Sequence, residues 1–223
     1  MSRLPLAVLA SGRGTNLQSL LDRGSEAPWV VALVISNNPD AGALERARLA
    51  GAATAVIGRD GSDATGLLEH LRQHQCALVV LAGWLKRVPA PVVAAYRGRI
   101  LNIHPALLPS FGGAGMYGRR VHEAVLASGA RISGATVHLV DEEYDRGPII
   151  AQWPVPVLSG DTPDSLAARV LAIEHRLLPE VVAHACDCIS RGEPIRPLSA
   201  GGEAFAVARA PNGRLHLQWA ENS

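Results

Sequence analysis

The chain has 223 residues, of which 48% are hydrophobic and 18% charged, and a formal net charge of +1. That balance suits one large α/β domain, with or without an appendage, and excludes a chain too polar to bury a core. A near-neutral charge argues against a dedicated nucleic-acid surface, which needs a basic excess. No apolar run is long enough to span a membrane. The N-terminal "MSRLPLAVLAS" runs straight into a glycine turn and reads as a first strand, not a signal peptide, so a cytoplasmic setting is expected. Cys76, Cys186 and Cys188 are odd in number and lack framework spacing, so they read as small buried hydrophobes.

In chain order, residues 6–10 form a short apolar run closed by "SGRGTN", after which Leu17, Leu20 and Leu21 recur at helical spacing. Residues 30–36 are a continuous apolar strand. "NNPD" turns the chain into "AGALERARLAGA", a helix closed by Gly51. "TAVIG" is a third strand, "DATGLLEHLRQHQ" a third helix and 77–83 a fourth strand. "APVVAAYRG" is a short helix, and "RILNIH" is a fifth strand.

Apolar strands alternating with amphipathic helices predict an α/β fold: an open, mostly parallel twisted sheet, Rossmann-like, with helices on both faces. Beyond Pro109 the pattern changes. "SFGGAGMYG" is glycine-rich and reads as mobile, and "RRVHEAVLAS" is helical. "SGATVHLVDEEYDRGPIIAQWPVPV" reads as two late strands joined by an acidic turn. A long helix follows, with Thr162 as its N-cap and Pro179 as an interruption. Two alternating runs around Pro211-Asn212-Gly213 predict a C-terminal hairpin behind a Gly201–Gly202 hinge. The expected organisation is a domain over 1–200 with an appendage at 201–223.

Three constellations carry chemistry. "SGRGTN" follows a strand and opens a helix, a geometry that presents backbone N–H groups to an anion. It lacks the lysine of a Walker loop and the third glycine of the dinucleotide fingerprint, so a single phosphate fits it better than ATP or NAD. The same turn could equally be a tight connection with Thr15 or Asn16 as cap. Asn102 and His104, two apart, share one face of a strand end. Together they could hold a developing oxyanion, or they could be a satisfied core pair. The acidic turn "DEEYDRGP" offers Asp141, Glu142, Glu143 and Asp145. One carboxylate there could orient the histidine or take a proton, and spacing alone does not choose Asp145 over Asp141. For a metal, His70 and His74 lie one helical turn apart, and His104, His122 and His138 could converge, but no Cys or His-x-Glu pattern supports a site.

The strings "LASGRGTNLQSLLD", "ISNNPDAGALERARLAGA", "VVLAGW", "GRILNIHPALLPSF", "GATVHLVDEEYDRGPII" and "EHRLLP" together resemble the phosphoribosylglycinamide formyltransferase family of purine synthesis, within the wider formyltetrahydrofolate-using superfamily. The resemblance implies a formyl transfer from 10-formyltetrahydrofolate, as cosubstrate, to glycinamide ribonucleotide. It implies no metal, no nucleic-acid or membrane partner, and a monomer or homodimer. It places Asn102, His104 and Asp145 as the catalytic trio, and Gly14, Thr15 and Asn16 as the phosphate loop. It makes Glu174 an acid touching the acceptor, and Trp84, Leu85, Lys86, Arg87, Val88, Val140 and Asp141 the folate pocket. Thr136 and His138 align beside that network. The chain departs from the family in carrying Leu85-Lys86-Arg87 where a Met-Arg-apolar sequence is usual, and in a longer glycine-rich loop after Pro109. The family's further basic residue for the phosphate has only Arg59 as a candidate.

Overall fold

The structure, a computed structural model, describes residues 3–198 and the backbone of two strands at 206–209 and 215–218. A seven-stranded sheet runs in the order β3-β2-β1-β4-β5-β6-β7. Its strands are β1 (Leu4–Leu9), β2 (Trp29–Ser36), β3 (Ala53–Val56), β4 (Leu78–Leu81), β5 (Ile100–His104), β6 (Ile132–Leu139) and β7 (Ile149–Pro156). The first five pair in parallel, and β6 and β7 pair antiparallel. The α/β reading and the late antiparallel strands both hold.

Alternation along the strands builds two cores. Leu6 and Val8 of β1 face one side with Leu17 and Leu20 of α1 (Thr15–Leu21), Leu44 of α2 (Gly42–Leu49) and the apolar stripe of α6 (Pro163–Ser190). Ala7 and Leu9 face the other side with Leu67 and Leu71 of α3 (Ala64–Gln73) and Val92 and Val93 of α4 (Ala90–Ala95). Strands buried on both faces read as unbroken apolar runs, which is why β4 is "LVVL". It is shorter than its apolar run, because Gly83 turns away at φ 77°.

Helix ends follow their caps. Gly51, at φ 75°, ends α2, and the Ala52 N–H donates to the Ala47 carbonyl. The Thr162 side chain and Ser165 form a reciprocal capping box at the start of α6. The expected interruption at Pro179 does not occur: α6 runs unbroken through it. An interior proline costs about 3 kcal/mol. Here Pro179 is buried in a stretch where Leu177, Leu178, Val181 and Val182 are buried as well, and that packing offsets the missing bond.

The edge strand β7 carries Pro154 and Pro156, and the Leu198 N–H donates to the Ile150 carbonyl, so the chain beyond α6 returns to the same edge. The two late strands, β8 (Ala206–Arg209) and β9 (Leu215–Gln218), pair antiparallel as a separate ribbon. The Gly201–Gly202 hinge and the Pro211-Asn212-Gly213 turn lie outside the described residues. The three cysteines are free and buried.

Candidate active site

The loops after β1 and β4 and the end of β5 open on the same sheet edge, where ligands sit in open α/β folds. Antiparallel pairing then adds what a parallel sheet could not. The register sets Asn102 opposite His138 and His104 opposite Thr136, so β6 lays a second polar pair beside the first. A bulge between Val137 and His138 aims the histidine. The β6–β7 turn then returns Asp145 to the same place. Asp145 is held at φ 55°, and Gly147 follows where a Cβ would meet the Leu139 carbonyl oxygen at 1.9 Å.

The resulting cluster is compact. Asn102 Nδ2 lies 3.0 Å from His138 Nε2 and 3.5 Å from Asp145 Oδ1. His138 Nδ1 faces the Leu139 carbonyl at 2.8 Å, which makes it the donor and leaves Nε2 to accept from Asn102. Both Asn102 hydrogens are thereby directed, one to His138 and the other to Asp145. His104 Nε2 faces the Phe111 carbonyl at 2.9 Å, which turns Nδ1 toward Asp145 Oδ2 at 3.7 Å. Asp145 Oδ2 also accepts from the Gly113 N–H at 2.8 Å. Thr136 braces the segment after His104: its Oγ1 donates to the Ala106 carbonyl and accepts from the Leu108 N–H.

Burial pulls the His104 imidazole below its ordinary range, and Asp145 and the Phe111 carbonyl oppose that only in part. For Asp145, burial pushes upward, but His138, the Gly113 N–H and His104 together draw it below the usual carboxylate range. Glu174, on α6, accepts from Asn16 Nδ2 at 2.6 Å. Burial pushes its carboxyl above the usual carboxylate range, and the Asn16 bond offsets this in part.

A cleft of about 600 Å³ passes over this cluster. The whole 84–88 loop lines it, as do Val140, Asp141, Asn102, His104, Asp145, Asn16 and Glu174. Gly14 and Thr15 do not. Gly14 packs against Ala43 of α2, and Thr15 lines a smaller neighbouring cleft with Arg46 and His175. Arg59 lines neither cleft, whereas Arg13 lines the larger one. The two expected ligand loops are joined, because the Leu85 N–H donates to Ser11 Oγ at 3.1 Å.

Sequence reasoning missed Phe111 and Gly113, whose contributions are a carbonyl and an amide that no side-chain pattern marks. His122 on α5 (Arg119–Ala127), weighed only as a metal ligand, is 4% exposed and lines the cleft beside His104. The glycine-rich segment expected to be free is tied at its start by the Phe111 and Gly113 bonds. Among the described residues no His, Cys, Asp or Glu cluster is arranged to hold a metal ion.

The profile of the family described as formyl transferase matches residues 4–182. The chain belongs to the formyl transferase family. Among curated relatives of this formyl transferase chain, the chloroplastic phosphoribosylglycinamide formyltransferase of Arabidopsis thaliana is 46% identical over 193 residues, covering 83% of this chain and 66% of that protein. The phosphoribosylglycinamide formyltransferase of Escherichia coli is 38% identical over 189 residues, covering 82% of this chain and 87% of that protein. The crystal structure of the Anaplasma phagocytophilum phosphoribosylglycinamide formyltransferase superposes with a TM-score of 0.78 at 35% identity, covering 99% of this chain and 97% of that one. The chain thus spans just under two thirds of the plant relative and most of the bacterial ones.

Proposed function

We propose that the protein transfers a formyl group from 10-formyltetrahydrofolate to the amine of glycinamide ribonucleotide in purine biosynthesis. The observation that carries this reading is the convergence of Asn102, His104 and Asp145 between the "SGRGTN" turn and the cleft lined by the 84–88 loop. A cleft of that size holds a drug-sized molecule, and its apolar walls at Leu81, Val88 and Val140 suit a flat ring system.

In this reading the acceptor's phosphate sits at the turn holding Gly14, Thr15 and Asn16, and Glu174 meets the acceptor. The acceptor amine attacks the formyl carbon, and the carbonyl becomes a tetrahedral oxyanion. The Asn102 hydrogen that faces Asp145, turned to the oxyanion, and protonated His104 hold that oxygen. Asp145, through water, takes the proton from the amine and returns it to the folate nitrogen as the carbon–nitrogen bond to the donor breaks. No covalent enzyme intermediate and no metal is involved. The reading takes residues 1–200 as the transferase domain, and the protein as a cytoplasmic monomer or homodimer acting on small molecules.

The test is to incubate the protein with 10-formyltetrahydrofolate, with and without glycinamide ribonucleotide. Donor turnover only when the ribonucleotide is present is the expected result. Equal turnover in its absence would mean hydrolysis and would overturn the reading, as would no turnover at all.

A further inference from the structure

The "SGRGTN" turn has a property that its sequence does not display: its carbonyls are held from behind. The Ala43 N–H, at the start of α2, donates to the Gly12 carbonyl at 3.1 Å. Arg46, one turn further along α2, donates from Nε to the Arg13 carbonyl at 2.9 Å. In a trans peptide the carbonyl of one residue and the N–H of the next point in opposite directions. Two carbonyls held toward α2 therefore turn the Arg13 and Gly14 N–H groups away from it. Gly12 and Arg13 line the large cleft. The fit is tight on both sides: a Cβ on Gly14 would come within 2.7 Å of the Ala43 Cα, and one on Gly42 within 3.3 Å of the Arg13 carbonyl oxygen.

A second nitrogen of the Arg46 guanidinium is also engaged. Its Nη1 donates to Gln18 Oε1 at 2.8 Å, and Gln18 in turn donates to Asp22. The side chain is half-buried and lines the smaller cleft beside Thr15. Its Nε–H bond contributes through the direction it gives the backbone. We infer that Arg46 is a positioning residue for phosphate recognition: its Nε–H fixes the Arg13 carbonyl, and so aims the amides that receive the acceptor's phosphate. This rests on the proposed function in that the turn is read there as the phosphate site.

A pair of substitutions separates aiming from charge. In Arg46→Gln, the Nε2 group reaches the position of the arginine Nε, so the bond to the Arg13 carbonyl survives while the charge is lost. In Arg46→Met, the bulk remains and the donor is gone. Inorganic phosphate should raise the melting temperature of the wild type and of Arg46→Gln, and do so far less for Arg46→Met. In the transfer assay, Arg46→Met should raise KM for the ribonucleotide about tenfold with kcat unchanged, and Arg46→Gln should stay within about threefold of wild type. With the dephosphorylated acceptor, glycinamide riboside, the three proteins should not differ.

If Arg46→Gln is as impaired as Arg46→Met, the guanidinium charge acts directly and the inference is overturned. Equal losses with the riboside would also overturn it, as would a wild type that phosphate does not stabilise. If the phosphate pattern appears while the wild type transfers no formyl group, the inference stands and the proposed function falls.

Discussion

Two turns frame the site, and they are held by opposite means. The turn after β1 is fixed through its own backbone: carbonyls that accept from the Ala43 N–H and the Arg46 side chain of α2, a left-handed glycine and a close approach to Ala43. The turn between β6 and β7 is fixed by side chains. Asp145 bonds to Gly113 and faces His138 and His104, and Arg87 and Arg97 hold Glu142 from outside. Backbone amides carry no titratable proton, so the first turn suits an anion whose charge does not change during reaction. Side chains near neutral pH exchange protons, so the second suits chemistry. The first should therefore be intolerant of added carbon and indifferent to pH, and the second the reverse.

The largest break in that contrast should come from His104→Ala. An oxyanion donor is worth about 3–4 kcal/mol, so kcat should fall about a hundredfold or more while KM for the ribonucleotide moves little, as steady-state kinetics would report. Asp145→Asn should lower kcat strongly too, and it should also move the pH profile. If protonated His104 does the work, kcat falls as pH rises through its lowered value. Because Asp145 is what raises the imidazole, removing that charge shifts the limb further to acid. A profile that stays in place would separate Asp145 from His104.

Gly14→Ala attacks the other turn. Forcing a Cβ into a left-handed site against Ala43 should destabilise the protein by about 1–3 kcal/mol and raise KM for the ribonucleotide, with the pH profile unchanged. Smaller still is the effect of pH on the fold. Burial lowers both His104 and His122 from 6.5, so the unfolded chain binds more protons as that value is approached. Melting temperature should therefore decline as pH is lowered from about 8 to about 5, and His122→Gln should flatten the decline. The smallest effect belongs to Arg97→Ala. Its ion pair with Glu142 is exposed on both sides, and kcat should change less than about twofold.

The parallel half of the fold was legible because a strand buried on both faces must be apolar along its length, as β4 is. Caps at Gly51 and Thr162 were legible because each solves a local backbone problem. Pro179 misled for the opposite reason: its local cost is real, but the burial of its stretch of α6 depends on packing against elements distant in sequence, such as β6 and α1. Asn102 and His104 stood out as polar residues in an apolar strand. What joins them was not readable. The Asn102–His138 contact depends on the register of β5 against β6, and no local pattern sets that. Asp145 looked no different from Asp141 until the family resemblance singled it out. Thr15 shows the limit of motif reasoning: it belongs to the expected loop, yet it faces a different cleft from Asn16.

The prolines of β7 matter beyond the site. An edge strand with free N–H groups is an invitation for another chain to add a strand to the sheet. Pro154 and Pro156 have no N–H to offer, and the Ile150 carbonyl is already taken by Leu198. A second copy of the protein could not extend the sheet regularly across that border. If the protein pairs with itself, the contact at this end must be made by side chains, and β7 is protected from the strand-to-strand stacking that begins aggregation.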